Sequence, residues 1–101
     1  MPYGLQQKTI QEINTIFANY TNIDEAVLYG SRAKGNYKPG SDIDLTLKGK
    51  GLNLEQLNKI SIDLDNLLLP YTFDLSIFHQ VSNRDLIDHI ERIGKKFYTR
   101  K

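Results

Sequence analysis

The chain has 101 residues, enough for one domain with one hydrophobic core and too few for a separate substrate domain. It has no cysteine, which excludes disulfides and thiolate metal sites, and its formal net charge of +1 gives no electrostatic ground for nucleic-acid binding. No apolar run is long enough to span a bilayer, and MPYGLQQKTI lacks the layout of a signal peptide, so a cytoplasmic single domain over residues 1–101 is expected.

Residues 5–20 read as a first helix, with Ile10, Ile13, Phe17 and Tyr20 at helical spacing and Ile16 beside them. EAVLYG (25–30) is a short apolar run ending at glycine, the pattern of a buried strand. A glycine-rich loop follows, in which KPGS is a turn signal. SDIDLTL (41–47) alternates: Ile43, Leu45 and Leu47 point one way, and Asp42, Asp44 and Thr46 the other. Residues 54–69 read as a helix with Leu57, Ile60, Leu64, Leu67 and Leu68 on one face. Asn53 is its predicted N-cap, Gln56 completes a capping-box pattern, and Pro70 closes it. YTFDLSIF (71–78) alternates again, with Phe73, Leu75 and Ile77 opposite Asp74, Ser76 and Phe78. A last helix is predicted over 83–93, with Leu86, Ile90, Ile93 and then Phe97 on its buried side and Gly94 as C-terminal cap. The fold class is therefore small α/β (α+β): one sheet with helices packed mainly on one face.

The chemistry concentrates in residues 30–45, GSRAKGNYKPGSDIDL. Asp42 and Asp44 sit two residues apart on one strand face, roughly 7 Å along the backbone. Like charges that close are unfavourable unless a cation lies between them, and carboxylate oxygens are what Mg²⁺ prefers. Asp74 interrupts the next alternating strand in the same way. If the two strands are neighbours, three carboxylates converge, a set that suits two Mg²⁺ ions. Upstream, Gly30 lets backbone N–H groups approach a phosphate and Ser31 adds a hydroxyl, with the option of starting a short helix. Arg32 is a candidate phosphate contact. Lys34 and Lys38 read as solvated loop charges.

Gly30-Ser31, then Arg32 and Gly35, then Ser41-Asp42-Ile43-Asp44-Leu45, resemble the signature of the DNA polymerase beta-like nucleotidyltransferase superfamily. The spacing is closest to its minimal nucleotidyltransferases, the MNT family. The resemblance implies a small mixed sheet with flanking helices, the nucleotidyltransferase fold. It implies that Asp42 and Asp44 bind metal and that Asp74 is the third carboxylate, helping to activate an acceptor hydroxyl. It places the triphosphate on Gly30 and Ser31, with Arg32 nearby. MNT proteins of this size pair with HEPN proteins as antitoxins of HEPN toxins. The implied reaction is Mg²⁺-dependent transfer of AMP from ATP to a tyrosine hydroxyl of that partner. Two other readings stand beside it: a nucleotidyltransferase acting on a small molecule with a partner subunit, and a non-catalytic antitoxin that works by binding.

His79 and His89 are isolated, without a second ligand at metal spacing, and read as surface or structural histidines. Asp63 and Asp65 fall on the polar side of their helix. The tail KKFYTRK reads as a solvated terminus.

Overall fold

A computed structural model of the chain describes residues 1–100. After a single 3-10 turn at Pro2–Gly4, α1 runs Gln7–Ala18, two residues shorter at each end than its periodicity suggests. Leu5 is fully buried although it precedes the helix. The first strand, β1, is Glu25–Tyr29, apolar on both faces because it lies inside the sheet. The short helix α2 (Gly30–Lys34) follows without a linker, and β2 is Ile43–Lys48.

Helix α3 covers Leu54–Asp65. Its Asn53 cap is present, accepting the Gln56 N–H at 2.9 Å. The reciprocal half of the capping box is not: the Gln56 amide pairs instead with Asn22, at 2.8 and 2.7 Å. The helix also stops four residues earlier than its leucines suggest. Pro70 disfavours helical backbone at Leu69, and Leu68 turns into the left-handed region (φ 57°) and is 88% exposed. Strand β3 is Phe73–Ile77. Helix α4 is Arg84–Ile93, capped by Asn83, whose side chain accepts the Leu86 N–H.

A fourth strand, β4 (Lys95–Thr99), occupies the tail that reads as solvated. It pairs antiparallel with β1, and Phe97 packs into the core from this strand rather than from the helix. Arg100 fastens its end, donating to the carbonyl oxygens of Ile23 (3.0 Å) and Tyr20 (2.7 Å). Gly94 is the C-terminal cap of α4, as expected, its N–H donating to the Ile90 carbonyl at 2.9 Å. Its backbone is extended (φ −55°, ψ 143°), and glycine is needed there because a Cβ would strike the Ile90 carbonyl and lie 2.6 Å from Val27.

The sheet order is β3-β2-β1-β4, with β2 and β3 parallel and the other pairs antiparallel. Helices α1 and α3 cover one face, where Ile13, Phe17, Ile60 and Leu64 meet Ala26, Leu28, Ile43, Leu45 and Leu47. The helices are not confined to that face. Ile90 and Leu86 of α4 cover Val27 and Tyr29 on the other. Two apolar residues of β1 point that way and must be shielded from water. Beyond β1, the same face of β2 and β3 carries the polar side chains of Asp44, Thr46, Asp74 and Ser76.

Candidate active site

The strand register aligns the polar side chains in rows. Tyr29 of β1 pairs with Asp44 of β2, and Asp44 pairs with Asp74 of β3. One rung further in, Val27 pairs with Thr46, and Thr46 with Ser76. Directly opposed residues point to the same face, and adjacent strands lie about 4.8 Å apart. Asp44 and Asp74 are therefore immediate neighbours, as expected if their strands adjoin. The inner row is tied by the Ser76 hydroxyl, which donates to Thr46 Oγ1 at 2.8 Å, and Thr46 is fully buried.

Asp42 is placed less tightly. It precedes the first residue of β2 and is exposed. Among the described residues, no three acidic or histidine side chains are already gathered as a metal site, while the charges of both Asp74 and Asp42 reach Asp44. The pairing that locks Asp44 beside Asp74 does not reach Asp42. The residues still fit a hard cation. Among the described residues none of the three carboxylates forms an ion pair with a lysine or arginine, and the donors are all carboxylate oxygens.

Burial first, then the charges of Asp74 and Asp42, push the Asp44 carboxyl up from 3.8 to about 6, with Arg32 opposing. Burial also raises the Tyr29 hydroxyl; Ser76 opposes this, and the charges of Asp74 and Asp44 add to it. The phenol stays a proton carrier beside the carboxylates. For Asp44 the sign is that of a carboxyl harder to ionise folded than unfolded. Its contribution to stability is fully present below about pH 4 and is lost as the pH rises through about 6. Asp44→Asn removes that loss. In EDTA, the variant is expected to melt about 4–8 °C above the parent at pH 8, the effect of about 1 kcal/mol after discounting for solvent screening. At pH 4 the two should coincide. Equal melting temperatures at both pH values would contradict this electrostatic account.

Gly30 opens α2 with φ +72°, and a side chain there would collide with the Asp44 carboxylate. Glycine is thus required twice, by its backbone and by the close approach of Asp44. Ser31 is half-buried at the second position of the helix. Gly35, at φ +91°, ends it.

Arg32 departs from its expected role. It is 2% exposed and its guanidinium points into the protein. Nε and Nη2 donate to the Ser41 carbonyl at 3.1 and 2.9 Å, Nη2 also to Pro39 at 3.3 Å, and Nη1 to Tyr3 at 2.8 Å. The rings of Tyr71 and Tyr37 flank it at 4.9 and 5.3 Å. Backbone carbonyls take the donors that a phosphate would need. Arg32 instead pins the loop at Ser41, the residue before Asp42. Lys34 and Lys38 are exposed.

Two further residues belong to the surroundings of the site. Tyr29 ends an apolar strand, where it reads as core. His89 shares a helix face with Leu86 and Ile90, and that spacing was the available signal. Its Nε2 accepts the Gly30 N–H at 3.0 Å, and its ring meets Tyr29 edge-on.

The model of the family described as polymerase beta, nucleotidyltransferase matches residues 11–101. A Methanocaldococcus jannaschii protein, provisionally named a protein adenylyltransferase, is 28% identical over 92 residues, 83% of this chain and 86% of its own length. Among solved structures, a toxin–antitoxin crystal structure with AMP-PNP matches at a TM-score of 0.73 and 20% identity, covering 96% of this chain and 76% of the other. A chain of the complex between a tri-AMPylated Shewanella oneidensis HEPN toxin and MNT antitoxin matches at 0.71 and 19%, covering 95% and 74%. At these identities the structures establish a shared fold.

Proposed function

Because this chain belongs to the polymerase beta nucleotidyltransferase family, we propose that it transfers AMP from ATP to a tyrosine hydroxyl of a HEPN toxin and so acts as its antitoxin. The observation that carries the reading is the Asp44–Asp74 pair on an open sheet face, with the Gly30–Ser31 turn packed against Asp44. The provisional name of the archaeal relative and the HEPN and AMP-PNP complexes of the same fold point to this substrate and partner.

Asp42 and Asp44, with Asp74, would hold Mg²⁺, two ions in this reading. Bound there, the metal neutralises charge developing on the phosphates. The chain's own residues do the rest. The Ser31 hydroxyl and the N–H groups of Ser31 and Arg32, near the start of α2, bind the triphosphate. Asp74, at the sheet edge, accepts the proton of the acceptor hydroxyl. The tyrosine oxygen bonds to the α-phosphorus as the bond to pyrophosphate breaks. In this reading residues 1–101 act as one minimal domain in the cytoplasm; among the described residues no helix is long and apolar enough to cross a membrane.

Intact mass spectrometry tests this directly. The protein is mixed with ATP, Mg²⁺ and the HEPN product of an adjacent gene. A mass gain of one or more AMP units on the partner is expected, and none without Mg²⁺. A stable complex with no mass gain would replace the transferase by an antitoxin acting through binding.

A further inference from the structure

We propose that His89 is a positioning residue for nucleotide binding: it holds the Gly30 turn in register with Asp44 from outside the catalytic strands. This rests on the transferase reading above and adds a residue to it. Four observations carry it. The Gly30 N–H, one of the unpaired donors at the start of α2, is satisfied by His89 Nε2 at 3.0 Å. Gly30 sits at φ +72° directly against the Asp44 carboxylate, so any rotation of its peptide changes that contact. His89 is itself fixed, half-buried on α4 with its ring edge-on to Tyr29 at 6.1 Å. And α4 is seated closely on β1, since Gly94 admits no side chain between Ile90 and Val27.

The consequence is a division of the first turn of α2. The Gly30 N–H is committed to the imidazole. The N–H groups of Ser31 and Arg32 and the Ser31 hydroxyl are left to face an anion. An Nε2 that accepts carries no proton, so the ring in this contact is the tautomer protonated at Nδ1. His89 touches neither nucleotide nor metal in this arrangement. It acts through Gly30.

Three variants separate positioning from packing. His89→Gln keeps an acceptor near the place of Nε2. His89→Leu fills the space without one. His89→Asn is one bond too short to reach, and gives the same loss if the leucine variant does not fold. The readouts are amide hydrogen exchange at Gly30, the KM for Mg·ATP, kcat, and the melting temperature. Losing one such hydrogen bond corresponds to about 5–20-fold. The leucine and asparagine variants are expected to exchange Gly30 faster and to raise KM by that order, with kcat changed less than about 3-fold. The glutamine variant should restore both within about 3-fold. Parental exchange and KM in the leucine variant would overturn the proposal. So would equal impairment in all three variants tracking a common loss of melting temperature, which is a packing role. Should the parent itself bind no Mg·ATP, the transferase reading fails, and Gly30 exchange still decides whether His89 holds the turn.

Discussion

Asp44→Asn is expected to fold and yet lose about 1,000-fold or more in AMP transfer. The substitution keeps the shape of the side chain and removes its charge. Shape matters here, because Asp44 fills the space that Gly30 leaves open and lies between Tyr29 and Asp74 in the sheet. Charge matters more, because the repulsion stored around Asp44 is the free energy a cation would release. Burial and two neighbouring carboxylates already push its carboxyl up to about 6. Single-turnover transfer, followed by mass, measures the loss. Asp42→Asn should also be severe, and Asp74→Asn should lower kcat more than it raises KM, as expected for the proton acceptor. If Asp44→Asn transfers AMP at a rate close to the parent, the aspartate row is not the catalytic centre.

Arg32→Ala is expected to cost about 3–4 kcal/mol of stability, a large share of what a domain of this size has. Removing the guanidinium takes the donors from the carbonyls of Tyr3, Pro39 and Ser41, empties a buried space, and separates the flanking rings of Tyr37 and Tyr71. In urea the midpoint should fall by about 2 M. Arg32→Lys should recover little of this, because one ammonium cannot reproduce a planar fork reaching several carbonyls. The folded fraction should also transfer AMP more slowly, since the anchor beside Asp42 is gone. The alternative role as a phosphate contact predicts the opposite pattern: unchanged urea midpoint and a raised KM for ATP. The two measurements together leave no ambiguity about which role Arg32 has.

Residues whose meaning is local were legible in the sequence. Asp44 and Asp74 interrupt apolar alternation, and alternation alone puts them on the solvent-side face. Asn53 precedes a periodic run and caps it. The failures share a different cause, which is that contact partners lie far along the chain. Arg32 sits in a loop where a basic residue suits phosphate, and only the path of residues 37–41 around it turns the guanidinium inward. His89 acquires a partner 59 residues away only when α4 packs beside α2. Strand β4 is disguised by two exposed lysines and by a bulge opposite Ala26 and Val27 that breaks the two-residue period. Leu68 matches the helical spacing, yet Pro70 ends the helix before that spacing can count.

The row Tyr29–Asp44–Asp74 runs across the hydrogen bonds of the sheet and not along any one strand. The spacing of its two carboxylates is therefore the strand-to-strand repeat, which backbone geometry dictates and side chains do not alter. Sequence decides only which residue stands on each rung. Helix surfaces, loops and most of the core can be rewritten without moving one carboxylate against the other, as long as the register holds. A ruler made of backbone tolerates a great deal of change around it, which suits a fold shared at a TM-score of 0.73 by chains only 20% identical.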